Sequence, residues 1–305
     1  MTKLKNWLVF TVFALCGGVS APAFTTNDAA TIFNSYNSVF LIGDAYSGWW
    51  TGAELLEMAE DAYENTPSAA RQSIVTSTCN GFLTQHGSNW MGNEYNDDIA
   101  WAVIAFSRAY LITGNTGFRN VAKSNFDGMY ARAWDTNFMG GGLWWRQSDK
   151  QSKNACIQGP GAIAACYLYS IYGDTNYLNK AQAIHAWNRR VLFQPATGAV
   201  YDNVNTNNVF GTFTLTYNQG TFIGAANFLY RATGLPQYYQ DAILAAKHTQ
   251  NSMTTAGILP EYGSGSDLSG FNGIFSTAAL TIAFCEGMIT KKTFPAMIDP
   301  SIAPK

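Results

Sequence analysis

The sequence predicts an all-α fold in which helical hairpins stack side by side, as an open solenoid or as a closed toroid. Three segments align without gaps on Gly114, Gly173 and Gly234, which gives a repeat of about 60 residues. In each segment an aromatic residue stands four positions after the glycine and an alanine eight positions after it. Glycine just past an apolar helical run usually ends the helix in a left-handed conformation, so each segment predicts a helix, a tight turn and a second helix. Strand patterns are nearly absent elsewhere.

Helical patterns fill most of the chain, and the predicted helices differ in how they meet solvent. Thr51 and Glu54 match a capping box at the start of the second helix. In the same helix, Glu60 and Asp61 form an acidic pair that we interpret as part of a solvated face. The helix after Asp98 carries one charge among apolar positions on all sides, which predicts an inner layer. The predicted helices span residues 28–41, 52–65, 69–86, 98–112, 116–133, 159–172, 175–191, 220–233, 236–251 and 273–288.

The connections between these helices alternate in length. Short turns are predicted at 65–67, 114–116, 173–175 and 234–236, and long segments at 42–51, 87–97, 134–158, 192–219 and 252–272. In an up-and-down array of helices, alternate connections lie at the same end. We therefore expect all the long loops to gather on one face.

The long loops are rich in large aromatic residues. These are Trp49, Trp50, Trp90, Trp134, Trp144 and Trp145, with Tyr46, Tyr95, Tyr201, Tyr217 and Tyr262 beside them. An indole face matches the apolar C–H face of a sugar ring, so tryptophans in polar loops at one rim favour a carbohydrate-binding face. The alternative for any one of them is an aromatic plug that closes the end of the toroid. As a group they indicate carbohydrate.

Composition places the chain among exported proteins. Residues 1–23 combine two lysines, an apolar stretch and a small-residue cleavage site, which predicts a secretory signal peptide before a single domain at 24–305. Loss of that leader changes the formal charge from -2 to -4, because 18 basic residues minus two leave 16 against 20 acidic ones. Such a chain has no basic surface for nucleic acid, and no other apolar run reaches membrane-spanning length. We expect a monomer that is extracellular, periplasmic or attached to the cell surface.

Four cysteines follow the predicted leader: Cys79, Cys156, Cys166 and Cys285. An even number in an exported chain allows up to two disulfides in three connectivities. Buried free thiols are the alternative, because these cysteines lie in or near helical patterns. Their spacing matches no metal site, and the three histidines are scattered without ligand spacing. The sequence therefore implies neither a metal nor an organic cofactor.

Asp97 and Asp98 stand side by side just before the most apolar helix. One aspartate alone could cap that helix. Two are harder to explain in this way, because only one can cap while the other experiences like-charge repulsion near apolar surroundings. Glycoside hydrolysis needs two carboxyl groups of unequal proton affinity, and neighbours at a helix start can hold theirs about 5 Å apart, as retaining enzymes do. We interpret the pair as catalytic; Trp101, one turn further on, either lines the site or fills the core.

The stretch EYNDDIAW at 94–101 resembles the paired-aspartate signature of glycoside hydrolase family 76, the endo-α-1,6-mannanases. Five further stretches resemble family motifs and occur in the family's order: GWW at 48–50, GGGLWWR at 140–146, KNACIQGP at 153–160, TYNQGTFIGA at 216–225 and FNGIF at 271–275. The resemblance covers most of the chain after the leader and implies an (α/α)6 toroid. It also implies that Asp97 is the nucleophile and that Asp98 is the general acid and base.

The other site candidates are aromatic and amide side chains of the long loops and of the helix starts that follow them. Tyr217, Asn218 and Gln219 could bind sugar hydroxyls, or they could cap the helix and satisfy loop backbone. Family members often have asparagine where Gln158 stands and lysine where Asn272 stands, and we expect both positions to face the substrate rim. The full predicted substrate-binding set is Trp50, Tyr95, Trp101, Trp144, Trp145, Gln158, Tyr217, Asn218, Gln219, Phe271 and Asn272.

The function that these observations predict is that of a secreted, retaining endo-α-1,6-mannanase, which cleaves mannan or mannooligosaccharides inside the chain. One alternative is a transglycosylase of the same superfamily that acts on mannose-containing anchor glycans. Another is a carbohydrate-binding protein without turnover, although a binding protein has no need of two adjacent carboxylates. A lyase or an isomerase on the same fold is disfavoured, because the proposed mouth of the site lacks a histidine.

Overall fold

The structure is a computed structural model that describes residues 25–262 and 270–276. Within these ranges nine α-helices account for most of the chain. They are α1 (Thr26–Phe40), α2 (Trp50–Asn65), α3 (Ala69–His86), α4 (Asn96–Thr113), α5 (Thr116–Ala133), α6 (Ala155–Tyr172), α7 (Thr175–Val191), α8 (Thr216–Thr233) and α9 (Pro236–His248), which continues as one π-helical turn over Thr249–Met253. Residues 271–276 are also helical, and the rest of the helix predicted at 273–288 lies outside the described residues.

The helices form an inner and an outer layer. Four antiparallel hairpins are made by α2 with α3, α4 with α5, α6 with α7, and α8 with α9, and the first helices of successive hairpins pack against each other. Helices α4 and α6 are buried on nearly every side, whereas α5 and α7 bury one stripe each. Apolar sequence on all faces therefore selects the inner layer. The predicted all-α toroid of helical hairpins is confirmed.

Three of the hairpin turns are closed by the repeated glycines. Gly114, Gly173 and Gly234 have φ values of 72°, 67° and 70° and end α4, α6 and α8 in the left-handed conformation. At the first two turns the next residue caps the following helix, since the side chains of Asn115 and Asp174 accept backbone N–H bonds. The predicted helix, turn, helix repeat is confirmed.

The capping box predicted at Thr51 and Glu54 is wrong. Helix α2 begins earlier, with Trp49 at the N-cap and no side-chain cap bond. Thr51 instead lies in the first turn, where its hydroxyl donates to the carbonyl of Ser47 at 3.4 Å.

Short strands brace the long loops. Strands β1 (Ser152–Asn154), β4 (Asn203–Asn205) and β5 (Phe210–Gly211) form an antiparallel sheet in the order β1-β4-β5, and β2 (Phe193–Gln194) pairs with β3 (Ala199–Val200). Lys153 lies opposite Val204 in the first sheet. The β1–β4 ladder ties the connection before α6 to the connection before α8, so these two long loops lie on one face. The sequence did not predict these strands, which are only two or three residues long.

An ion-pair cluster lies between the inner helices α2 and α4. The Arg108 guanidinium, 3% exposed, contacts Glu57 at 2.8 Å, Glu60 at 3.4 Å, Glu64 at 3.0 Å and also Asp61. Burial raises the pKa of Glu57 to about 7 and raises the pKa of Glu60 and Glu64. The interpretation of Glu60 and Asp61 as a solvated face is wrong, because α2 is an inner helix and its charged stripe faces α4.

Several loop aromatics belong to the core. Trp90 is 1% exposed, and its indole N–H donates to the carbonyl of Gly87 at 2.8 Å. Tyr46 is 2% exposed, and its hydroxyl donates to Asn37 at 2.6 Å. Trp49 packs against the ring of His86 at 4.0 Å. For these three residues the aromatic plug is the correct interpretation.

Cys79, Cys156 and Cys166 are buried free thiols, so no disulfide joins the cysteines of the described ranges. Cys285 lies outside those ranges. None of the helices in residues 25–262 and 270–276 combines the length and the apolarity needed to cross a bilayer.

Candidate active site

Asp97 and Asp98 occupy the first turn of α4, where the helix dipole favours negative charge. The N-cap is Tyr95 and makes no side-chain cap bond, so neither aspartate occupies the capping position. Asp98 is 9% exposed. Asp97 is half-buried, and its Oδ1 atom is shielded from solvent and accepts no hydrogen bond from any described residue. An uncompensated buried carboxylate oxygen is expensive for stability and is typical of a functional position.

The two carboxyl groups have different surroundings. Burial and, next, the negative charge of Asp98 raise the pKa of Asp97 to about 7. Hydrogen bonding from the Cys156 thiol and the Trp145 indole acts in the opposite direction and stabilises ionised Asp97. Asp98 instead accepts a hydrogen bond from the amide of Asn93, with Nδ2 and Oδ2 separated by 2.8 Å. At neutral pH the pair can therefore hold one proton between two carboxyl groups.

A third carboxylate, Asp202, lies close to the pair and was missed in the sequence. It directly precedes β4, and its two oxygens accept from Asn218 at 2.9 Å and from Asn203 at 2.7 Å. Burial raises the pKa of the Cys156 thiol, and the negative charges of Asp97 and Asp202 raise it further. The thiol therefore lies near both carboxylates. An isolated aspartate in a polar loop gives no local signal of such proximity.

The start of α4 is hydrogen-bonded to the Trp144–Trp145 loop. The backbone N–H of Asn96 donates to the carbonyl of Trp145 at 2.9 Å, and its side-chain amide donates to the carbonyl of Trp144 at 2.8 Å. The rings of Tyr95 and Trp145 pack at 5.3 Å. The half-buried Trp145 ring is thereby held beside Asp97, where it can contact a sugar.

Lys153 fixes the glycine-rich loop that precedes Trp144, a role that was not predicted from the sequence. Its ammonium group is fully buried and donates to the carbonyls of Asp135 at 2.8 Å, Phe138 at 2.8 Å and Gly141 at 2.6 Å. It also pairs with the Asp135 carboxylate at 3.1 Å. Burial lowers the pKa of Lys153, and its bonds to Asp135 oppose that shift.

The match to known proteins spans nearly the whole chain, since a family model described as glycosyl hydrolase family 76 covers residues 19–302. The chain belongs to glycosyl hydrolase family 76.

Individual relatives of this family 76 chain are distant. Two proteins named mannan endo-1,6-alpha-mannosidase DCW1 are similar to it: the Candida glabrata protein is 26% identical over 224 residues, which is 67% of this chain and 49% of that protein. The Saccharomyces cerevisiae protein is 25% identical over 223 residues, which is 66% of this chain and 49% of that protein. The chain thus spans about half the length of the curated relatives it matches. Among solved structures, the GH76A α-1,6-mannanase of Salegentibacter sp. HEL1_6 is 29% identical, with a TM-score of 0.81 over 89% of this chain and 86% of that chain.

Two amide residues of the family 76 chain do not face the rim as predicted. Gln158 is fully buried, donates to the carbonyl of Leu143 at 2.7 Å and accepts from its N–H at 3.0 Å. Gln219 is fully buried as well and bonds the backbone of Gly198 at 3.0 Å and of Ala245 at 3.1 Å. Both side chains therefore complete the backbone bonding of loops and helix ends. Their placement as substrate-binding residues is corrected to a supporting role.

Buried aromatics require a similar correction. Trp144 is 6% exposed, stacks on Phe138 at 5.5 Å and lies under the Lys153 ammonium at 4.6 Å. Trp101 is 5% exposed and packs within the main core cluster. The core alternative holds for Trp101, and Trp144 supports the loop rather than presenting an open face.

The remaining candidates lie around the starts of α8 and of the helical segment 271–276. The Tyr217 and Phe271 rings pack at 4.3 Å. Asn272 accepts from the Thr216 hydroxyl at 2.8 Å and donates to the carbonyl of Pro260 at 2.9 Å, and it stays half-buried. The oxygen of the Asn218 amide is buried and has no hydrogen-bond partner within the described part of the chain. Trp50 lies against Gly270.

Proposed function

We propose that the protein is a secreted, retaining endo-α-1,6-mannanase in which Asp97 is the nucleophile and Asp98 the general acid and base. The observation that carries the proposal is the adjacent, shielded aspartate pair at the start of the inner helix α4. Names of relatives support the substrate, since the two matched yeast proteins are mannan endo-1,6-alpha-mannosidases.

The Salegentibacter mannanase supports the role of the pair. Variants of that enzyme described as inactive have two consecutive aspartates changed to asparagine or to alanine, and they are complexed with α-1,6-mannotriose and with the corresponding tetrasaccharide. Asp97 and Asp98 are likewise consecutive.

The proposed reaction proceeds in two displacements. The Asp97 carboxylate forms a bond to the anomeric carbon, the bond from that carbon to the O6 oxygen of the leaving mannose breaks, and the Asp98 proton moves to that oxygen. Asp98 then takes a proton from water, the water oxygen attacks the anomeric carbon, and Asp97 departs as a carboxylate. The first step needs Asp97 ionised. The reactive state is therefore the one in which the shared proton lies on Asp98; the Cys156 thiol and the Trp145 indole favour ionised Asp97, against burial and the charge of Asp98, which raise its pKa.

The substrate would lie along the aromatic and polar surface beside the pair. We assign sugar contacts to the half-buried rings of Tyr95 and Trp145 on one side and of Tyr217 on the other. The buried Phe271 ring packs against Tyr217 and supports it. The buried Asn218 oxygen, which lacks a protein donor among the described residues, is suited to accept from a sugar hydroxyl.

The first test is hydrolysis of unbranched α-1,6-mannan by the purified protein, followed as reducing ends. We expect the wild type to release short oligomers, and the Asp97→Asn and Asp98→Asn variants to lose about a thousandfold or more in kcat. Asp174→Asn is the matched control, because Asp174 is an exposed cap at the opposite ends of the helices and asparagine caps equally well. Full activity of either site variant would overturn the pair as the catalytic residues.

Separate measurements test the retention of anomeric configuration and the roles of the two aspartates. Proton NMR of the first products should show the α anomer. With an aryl mannoside that needs no acid assistance, azide should rescue Asp98→Ala to the α-mannosyl azide and Asp97→Ala to the β-mannosyl azide. The reverse pattern would exchange the roles. Added acceptor sugar tests the transglycosylase alternative, which predicts longer oligomers in place of new reducing ends.

A further inference from the structure

We infer that Asn93 is a positioning residue that determines which oxygen of Asp98 carries the acid proton. This inference rests on the proposed function. The Asn93 Oδ1 atom accepts the backbone N–H of Tyr95 at 2.8 Å, and its Nδ2 atom faces Asp98 Oδ2 at 2.8 Å. A backbone N–H can only donate, so the oxygen of the Asn93 amide has to face Tyr95. The amide orientation is therefore fixed, and its NH2 group has to face Asp98.

The fixed amide has a chemical consequence for Asp98. An NH2 group offers only donors, and a carboxyl oxygen that carries the proton is a much weaker acceptor than the unprotonated oxygen of the same group. Oδ2 consequently stays an acceptor in both protonation states of Asp98, and the transferable proton is on Oδ1. The same hydrogen bond favours the ionised form of Asp98, and its loss would raise the pKa of that carboxyl group.

Arg132, at the end of the outer helix α5, holds Asn93 in place. Its Nη2 donates to the carbonyl of Asn93 at 2.6 Å and its Nη1 to the carbonyl of Met91 at 2.8 Å. Its Nε donates to the side-chain oxygen of Asn96 at 2.7 Å, and Asn96 in turn holds the carbonyl of Trp144. One half-buried guanidinium thus fixes the donor to Asp98 and the loop that carries Trp145. Lysine cannot reproduce these three directed hydrogen bonds, because its ammonium group lacks the planar geometry of a guanidinium.

The test compares Asn93→Ala with wild type on α-1,6-mannan and on an aryl mannoside whose leaving group needs no proton. On mannan we expect kcat to fall about 10- to 100-fold with KM within about threefold, because Asp98 is misplaced rather than lost. The alkaline limb of the pH profile of kcat/KM should move to higher pH, because that limb reports the acid form of Asp98. On the aryl mannoside the rate of glycosylation should remain close to wild type.

Further variants separate positioning from general damage. Asn179→Ala, an exposed asparagine on α7, is the matched control and should leave both rates unchanged. Arg132→Lys should reproduce the alkaline displacement in weaker form, while thermal unfolding shows that the variant is folded. An unmoved alkaline limb with equal losses on both substrates would overturn the inference while the proposed function stands. Wild-type inactivity on both substrates would overturn the proposed function and this inference with it.

Discussion

Cys156 is the residue whose role was hardest to predict from the sequence. It lies at the start of α6 among the charges of Asp97 and Asp202, and it donates toward Asp97. A buried thiol with a raised pKa is a poor nucleophile, so we assign it the role of a weak donor. That donor is one of the few groups that stabilise Asp97 in its ionised form.

Replacement of Cys156 should therefore change the acid side of the pH profile. In Cys156→Ala the lost hydrogen bond leaves the pKa of Asp97 higher, so the acid limb of kcat/KM should move to higher pH by about half a unit. Cys156→Ser retains a donor and should stay near wild type. Cys166→Ala, in the same helix and equally buried, is the control, and an equal displacement there would contradict the assignment.

At the residue scale the sequence pointed to the two carboxylates to which we assign catalysis, but not to the groups that hold the loops around them. Asp97 and Asp98 were identifiable because adjacency of two carboxylates before an apolar helix is a local pattern. Lys153 and Arg132 donate mainly to main-chain carbonyls of distant loops. Every residue has such a carbonyl, so the sequence does not indicate which ones accept these bonds. Gln158 was misplaced for a related reason, since loop proximity does not tell on which side of the backbone a side chain lies.

At the scale of single elements the helices were predicted well, because apolar period and glycine caps are local signals. The strands β1 to β5 were not, because two or three residues are too few to show alternation. The inner position of α4 followed from its apolar sequence. The inner position of α2 did not, because its acidic residues resemble a solvated stripe until their single arginine partner on α4 is known.

The turn glycines give a prediction at this scale. In Gly114→Ala the new Cβ would meet no atom within 4 Å, so the cost comes only from the left-handed backbone at φ 72°. We expect the free energy of unfolding to fall by about 1 kcal/mol, measured by urea denaturation. Gly92→Ala is the control, because its Cβ also meets open space and its φ is not positive. Equal losses in both variants would contradict a conformational origin.

At the scale of the whole molecule, the Arg108 cluster couples stability to pH. A carboxyl group whose folded pKa lies above its unfolded value stabilises the fold at low pH, and that contribution is lost as pH rises through the folded value. For Glu57 the window runs from the ordinary 4.5 to about 7. The buried His185, whose pKa burial lowers to about 3, acts in the opposite sense, because its contribution is lost as pH falls below 6.5.

The cluster therefore predicts a loss of stability between about pH 5 and about pH 8 that depends on Glu57. The amide of Glu57→Gln cannot ionise, so the loss of stability of this variant over the interval should be smaller than that of the wild type by on the order of 1 kcal/mol or more. Urea denaturation at the two pH values measures the difference. The exposed Glu261→Gln should keep the wild-type slope. If the free energy of unfolding changed equally with pH in wild type and Glu57→Gln, the Glu57 carboxyl group would not hold the proton.

The Lys153 contact has a meaning for how this fold can be changed. Its ammonium group binds the loop from Asp135 to Gly141 through main-chain carbonyls and one carboxylate. The side chains of Thr136 and Asn137 remain exposed. The path of the loop is thus independent of which residues stand at those two positions. They are suitable positions for engineering, because a new aromatic or charged side chain there leaves the contacts between Lys153 and the loop backbone in place.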